Sequence, residues 1–418
     1  ADMFLHSELE RARQDWMFPL REAMRRYVSV EDFRPLTDKE MVMGIPGKRF
    51  LDAVPMDTSM GFPLFGPKKD YFTESREGEV LLDRKPCEAV QEEMNRMYKC
   101  WLVGTRAYPV TTATLKDEPT PLEKEKVRVF QAVAVAFGLY IRKYFLPVAR
   151  FLSCHPKLSE CAVGVNSFSP DWQELMEHAL HFADDDKTIA WDYSKYDVRM
   201  NSQVTRAVLL SMIELAEIGG YNEGDLHIMR NMVADLVHPL IDYNGTMIMA
   251  YNMNTSGNNI TVNINSIAGS FYVRLGFYDQ YPQAGPFRDY CRALTYGDDF
   301  LGSVKESHRD FNFFSFSDFL QRHGMKITLP DKSDNQVAFM NVDDVDFLKR
   351  KSNWIPEINR YIGALDENSI FKSLHCNLRS KTETPREVAA SCIESAMHQW
   401  FAHGRHVYEQ RQKQMEQV

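Results

Sequence analysis

Cysteine is present in this 418-residue chain, but without a pattern: the seven, at 87, 100, 154, 161, 291, 376 and 392, form no Cys-x-x-Cys pair and no zinc-ligand rhythm. A zinc-stapled or disulfide-framed scaffold is thereby excluded, and reduced core thiols are expected. Long apolar runs are missing too. The stretch 132–141 falls far short of a bilayer span, and no basic–apolar leader follows Ala1. Neither secretion nor membrane insertion is expected, and the cytoplasm fits best. Excess positive charge is also lacking, with 49 Lys and Arg against 58 Asp and Glu and a formal charge of −9. That excludes a protein that binds nucleic acid with its whole surface. A local channel stays open, because 116–150 holds seven basic residues against four acidic ones. Repeats and low-complexity tracts are absent, and turn residues are spread throughout, which favours interleaved subdomains over beads on a string.

What is present is enough apolar surface to fold. An apolar content of 44% with 12% aromatics can offset the entropy of ordering the chain, and 418 residues exceed what one core usually supports, so two or three subdomains are expected. The pattern over Thr188–Tyr193 predicts a buried strand. Helical apolar spacing over Val204–Ile218, closed by Gly219-Gly220, predicts a helix behind it. A second, longer helix is expected just after Ser256-Gly257, where Ile260, Ile264, Ile267 and Phe271 recur at helical intervals and Thr261 and Asn265 lie on the polar face. The stretch 294–304 reads as two short strands joined by a tight turn at Gly297-Asp298. Thr384-Pro385-Arg386-Glu387 is a capping box that starts a helix running toward Phe401, and the polar end from Tyr408 to Val418 is expected to fray. The fold class is therefore α+β.

Two acidic clusters fall where strands end: Asp192 with Asp197, and the pair Asp298-Asp299. Nucleotidyl transfer needs hard cations between a 3′-hydroxyl and the attacked phosphate, and such cations take carboxylate oxygens held on rigid strands. Gly-Asp-Asp alone is weak evidence, since average composition yields it in roughly one chain of this length in ten. Ser256-Gly257 followed by Thr261 and Asn265 is rarer, at about a few chains per thousand.

In order, Asp192-Tyr193-Ser194-Lys195-Tyr196-Asp197, then Ser256-Gly257 with Thr261 and Asn265-Ser266, then Tyr296-Gly297-Asp298-Asp299 resemble palm motifs A, B and C of picornavirus-like RNA-dependent RNA polymerases. Outward from these, Thr58-Ser59-Met60-Gly61-Phe62-Pro63 is similar to motif G, and Leu115-Lys116-Asp117-Glu118 through Lys126-Val127-Arg128 to motif F. Pro330-Asp331-Lys332-Ser333 resembles motif D, and Phe347-Leu348-Lys349-Arg350 motif E. The resemblance implies a right-hand fold with fingers, palm and thumb around an RNA channel. Fingers would occupy 1–182, with part of 205–252 returning to them, the palm 183–352, and a helical thumb 353–418.

The same resemblance implies roles. Asp192 and Asp298 would hold two metal ions, Mg2+ with Mn2+ as a substitute, and Asp299 would be a weaker ligand. Lys332 would be the general acid for pyrophosphate. Asp197, meeting Ser256 and Asn265 with Thr261 in support, would recognise the ribose 2′-hydroxyl, with Gly257 in the same loop. Lys116, Lys126 and Arg128, and less certainly Lys124, would line the triphosphate entry path. Thr58, Ser59 and Gly61 would steer the template, and Lys349 and Arg350 would grip the primer phosphates. The implied partners are an RNA template and primer, ribonucleoside triphosphates and other viral replication proteins, in the host cytoplasm at membrane-associated replication complexes. Priming by a nucleotide or by a uridylylated peptide stays open. The chain reads as a polyprotein product of a positive-strand RNA virus. Two alternatives stand beside this reading: a reverse transcriptase, which generally places a bulky side chain where Asp197 stands, and a noncatalytic RNA-binding replication protein.

Overall fold

The segment 188–193 forms the strand Thr188–Tyr193, and 291–304 forms the antiparallel hairpin Cys291–Tyr296 and Asp299–Val304. This is seen in a computed structural model, which describes residues 3–120, 122–123, 127–376, 380 and 383–417. With the short strand Ile327–Thr328, these strands make a four-stranded antiparallel sheet in which Thr188–Tyr193 lies between Ile327–Thr328 and Asp299–Val304. Ile189, Ala190 and Trp191 are all buried, so both faces of the strand are covered. On one face Trp191 stacks at 4.0 Å on its cross-strand partner Phe300 and meets Phe316 of the helix Phe313–Arg322.

The second expected helix spans Thr261–Gln280 and packs beside Cys291–Tyr296, buried on nearly every side from Asn263 to Tyr278. It carries an ion cluster inside that apolar surround. Arg274 donates to both oxygens of Glu160 at 2.6 and 3.0 Å and to Asp15 at 2.6 Å, tying it to the N-terminal helix His6–Tyr27. Glu160 in turn accepts the Thr295 N–H at 2.7 Å through its backbone carbonyl, one hairpin strand away from Asp298.

Instead of the two or three separate cores expected from length, one continuous cluster joins His6–Tyr27, Val135–Cys154, Ser202–Ile218, Glu223–Val237 and Thr261–Gln280. Among the described residues only small satellites lie outside it. Interleaving is the reason. The strands Val110–Leu115 and Leu240–Tyr243, far apart in sequence, pair in parallel within a second sheet that also holds Val129–Ala132 and Thr246–Met249.

At the C-terminal end, Arg350–Ile355 pairs with Arg360–Leu365, so a boundary at 352 would cut through a strand. Helices Glu367–His375, Pro385–Phe401 and Arg405–Met415 then gather around Trp400. The capping box forms as expected: Thr384 N–H donates to Glu387 at 2.7 Å, and Glu387 N–H returns to the Thr384 hydroxyl at 3.3 Å. The polar end does not fray after Tyr408, because Arg411 donates to Glu367 at 3.1 Å and lies over the Trp400 ring. Polar composition concealed one long side chain with a carboxylate and an aromatic face to cover. The cysteines also differ from expectation: Cys161 and Cys291 are core residues, whereas Cys154 and Cys376 are exposed.

Candidate active site

Asp192 is the penultimate residue of its strand, with Asp299 as its cross-strand partner on one side and Thr328 on the other. The turn that presents Asp298 has Gly297 at φ 60° as its first central residue, the left-handed start that a two-residue II′ hairpin loop requires. Ser266 pins that turn. Its hydroxyl accepts the Gly297 N–H at 2.9 Å and donates to Val262 O at 2.6 Å, linking the hairpin tip to the first turns of Thr261–Gln280.

As a result, residues about a hundred positions apart converge. Asp192, Asp298 and Asp299 each offer an oxygen within 4.8 Å of the others. Partial burial and the crowding charge of Asp298 push the Asp192 carboxyl up to about 7 and that of Asp299 to about 6, with a backbone hydrogen bond from Leu348 opposing the shift at Asp299. Oδ1 of Asp192 is buried and has no hydrogen-bond partner among the described residues. Three crowded carboxylates with an orphaned oxygen fit a divalent cation, which would relieve the repulsion and complete the missing contact. Lys332, in a turn at φ 56°, brings Nζ to 3.8 Å from Asp192 Oδ2 while its side chain stays largely exposed.

The segment before the long helix is held differently from expectation. Among the described residues no hydrogen bond joins Ser256 to Asp197. The Ser256 hydroxyl donates to Gln131 Oε1 at 2.7 Å and accepts the Gln131 N–H at 3.1 Å, while the Ser256 N–H also reaches Gln131 Oε1 at 3.2 Å. Gly257 permits this seam, since a Cβ there would lie 2.0 Å from the Gln131 carbonyl oxygen. Asp197 and Asn265 are joined through Asn254, whose N–H donates to Asp197 O at 2.8 Å and whose Nδ2 donates to Asn265 Oδ1 at 2.7 Å. Thr261 caps the same segment by donating to Thr255 O at 2.6 Å. Sequence reasoning missed Gln131, Asn254 and Asn258, and quoted Ser266 beside Asn265 without giving it a role. A lone glutamine inside the apolar run 129–137 and two asparagines flanking Ser256-Gly257 were the available signals.

Of the basic candidates, Lys116 and Arg128 share Glu118, at 3.2 and 3.4 Å, on adjoining ends of paired strands. Lys124 and Lys126 lie outside the described residues. Arg142 and Arg150 of the same stretch serve the interior, while Lys143 pairs at the surface with Asp38 at 2.9 Å. Arg142 is buried and donates to Met41 O at 2.7 Å, and Arg150 turns to Glu31 and to Arg49 O. Thr58, Ser59 and Gly61 sit in a loop whose Met60 carbonyl accepts the Val135 N–H at 3.0 Å, which sets it beside the same segment that Gly257 touches. Lys349 is exposed, next to Leu348 at Asp299. Arg350 is partly committed: its Nη1 donates to Gly363 O and Gln399 Oε1, each at 3.0 Å, which ties it to the C-terminal hairpin and helices.

Comparison with known proteins agrees with this geometry. Residues 8–416 match the family model described as viral RNA-dependent RNA polymerase. The chain is 27% identical over 400 residues to the replicase polyprotein of Drosophila C virus, covering 90% of this chain and 22% of that protein. With the replicase polyprotein of cricket paralysis virus it shares 24% identity over 408 residues, or 92% of this chain and 23% of that one. The chain thus spans under a quarter of the length of these polyproteins. In three dimensions it resembles a Sicinivirus 3Dpol RNA-dependent RNA polymerase with a TM-score of 0.76 and 19% identity, over 98% of this chain and 80% of that one. The fold is the right-hand polymerase fold.

Proposed function

The chain belongs to the viral RNA-dependent RNA polymerase family, and from that membership we propose that it transfers ribonucleoside monophosphates from their triphosphates to an RNA 3′-hydroxyl, directed by an RNA template. The observation that carries the reading is the meeting of Asp192 with Asp298 and Asp299, within 4.8 Å, at one end of the sheet. Asp192, Asp298 and Asp299 would hold Mg2+, which when bound lowers the pKa of the attacking hydroxyl and offsets charge on the triphosphate.

The chain's own residues do the rest. Lys332, close to Asp192, holds a proton for the pyrophosphate oxygen that leaves. Lys116 and Arg128, joined by Glu118, give the triphosphate a positive approach, with Lys126 in the same role. Asp197, Ser256 and Asn265 face the sugar, supported by Thr261. Exposed Lys349 contacts primer phosphate, and the loop with Thr58, Ser59 and Gly61 guides the template. Residues 1–182, with the 240–249 strands paired into the second sheet, act as fingers and the sheet around Asp192 as palm. The thumb begins after Leu365, so that the 350–365 hairpin stays whole. Replication of a positive-strand RNA genome in the host cytoplasm, alongside other replication proteins, is the setting. Among the described residues no helix is long and apolar enough to cross a membrane.

The test is Mg2+-dependent incorporation of UTP on poly(A) primed by oligo(U), run beside Asp298→Ala. The variant should bind the primed template yet extend it at less than about a thousandth of the normal rate, since loss of the bridging carboxylate removes several kcal/mol of charge stabilisation. A normal rate in the variant rejects the metal assignment. Preference for deoxynucleotides would favour a reverse transcriptase.

A further inference from the structure

Two separate hydrogen-bond chains end on the side chains read above as facing the sugar. The first starts at a backbone group. Ile260 N–H donates to Asn258 Oδ1 at 2.9 Å, Asn258 Nδ2 donates to Asn254 Oδ1 at 3.4 Å, and Asn254 Nδ2 donates to Asn265 Oδ1 at 2.7 Å. Asn254 and Asn258 are buried, so none of these bonds can be exchanged for water at low cost. A carboxamide can be turned end for end, and then its donor and acceptor trade places. Here it cannot turn alone. Reversing Asn265 would set two N–H groups against each other at Asn254, reversing Asn254 would repeat the conflict at Asn258, and the Ile260 N–H at the origin can only donate. Asn265 is thus left presenting Nδ2, which no partner takes among the described residues.

The second chain is fixed in the opposite sense. The Ser256 N–H and the Ser256 hydroxyl both donate to the buried Gln131 Oε1, and the Gln131 N–H donates to the Ser256 oxygen. The one hydroxyl proton of Ser256 is committed, so a lone pair is what it has left to offer.

We propose that Asn254, Asn258 and Gln131 are positioning residues that fix the polarity of sugar recognition, holding Asn265 as a donor and Ser256 as an acceptor. A ribose 2′-hydroxyl, which accepts once and donates once, matches that pair. A 2′-hydrogen leaves both unpaired, and a 2′-fluorine, which accepts but cannot donate, satisfies Asn265 alone. The inference rests on the polymerase reading and deepens it: Asn265 and Ser256 contact the sugar, and the three residues behind them decide which hydrogen-bond sense each presents.

Asn254→Asp and Asn258→Asp test it, because each carboxylate keeps the size of the side chain but cannot donate onward. Asn265 then turns its N–H inward and shows its carbonyl oxygen to the sugar. Single-nucleotide incorporation by the full chain with Mg2+ is measured for UTP, 2′-fluoro-2′-deoxy-UTP and dUTP. The unmodified chain should favour the fluoro substrate over dUTP in kcat/KM by about fivefold, the worth of one neutral hydrogen bond. In both variants that order should invert and the UTP-to-dUTP ratio should fall about tenfold, while kcat/KM for dUTP stays within about twofold, because only contacts to the 2′ position change. Gln131→Met should lower the UTP-to-dUTP ratio and Gln131→Glu, which still accepts from Ser256, should restore it. Unchanged ratios in both aspartate variants overturn the proposal, as does an equal loss on all three substrates in both, which would mark a merely structural role. An unmodified chain that incorporates none of the three rejects the polymerase reading itself.

Discussion

Arg274→Met should destabilise the chain more than most single substitutions, and the cluster around Arg274 sets the size of the effect. Its guanidinium is fully buried and is shared by Glu160, at 2.6 and 3.0 Å, and Asp15, at 2.6 Å. Methionine has a similar length and apolar stem, so little cavity is left. What remains is the buried Glu160 carboxylate, with the partly buried Asp15 beside it, facing Arg288, whose Nε lies 3.8 Å from Glu160 Oε2. Removing one partner of a buried pair costs about 3–5 kcal/mol. The remaining Arg288 argues for the lower end, about 3 kcal/mol, by the same reasoning. The assay is urea unfolding followed by tryptophan fluorescence, with Glu160→Gln and the double variant completing a cycle. Because Glu160→Gln removes the charge that Arg274 leaves stranded, the double variant should be more stable than the sum of the single effects by about 2 kcal/mol. pH adds a second reading. Burial works to raise the Glu160 carboxyl, yet Arg274 and Arg288 outweigh it and hold the group below its ordinary 4.5. Since the folded value is the depressed one, its contribution is present above pH 4.5 and is lost as pH falls through the folded value. Glu160→Gln should flatten that part of the acid limb. A cost below about 1 kcal/mol for Arg274→Met, or strict additivity in the cycle, would refute the reasoning.

Gly257→Ala should break the seam to Gln131, since the new methyl would sit 2.0 Å from a backbone oxygen that flexible side chains cannot move aside. Loss of the three Ser256–Gln131 hydrogen bonds corresponds to about 3 kcal/mol. Reduced UTP selectivity together with a lower urea midpoint is expected, and an unperturbed midpoint would count against the close approach. Mg2+ should stabilise the chain more at pH 8 than at pH 6, because Asp192 and Asp299, raised to about 7 and 6, carry protons in the acid condition that the cation must displace. Without metal, both raised carboxyls mean that stability is lost as pH climbs through those values. A melting-temperature gain from Mg2+ that is larger at pH 6 contradicts this. Gly297→Ala should cost about 1–2 kcal/mol through the left-handed turn alone, since a Cβ there meets nothing within 4 Å. A stability change near zero in urea unfolding would show that the turn adopts another conformation.

Much of the site was legible in the sequence because its chemistry is carried by local patterns. The apolar pattern over 188–193, the Gly297-Asp298 turn and the helical spacing after Ser256-Gly257 are each set within a few residues, and they order the acidic groups along the chain. The Thr384 cap was legible for the same reason. Tertiary structure decided who meets whom. Gln131 reaches Ser256 across 125 positions, and Arg350 turns inward to Gln399, because strands and helices from distant segments fix the register between them. Polarity at Asn265 belongs to this second class: a side-chain amide has no sense of its own until the groups around it, anchored at the Ile260 backbone, choose one. The single continuous core and the ordered end around Arg411 follow likewise from contacts that no local periodicity encodes.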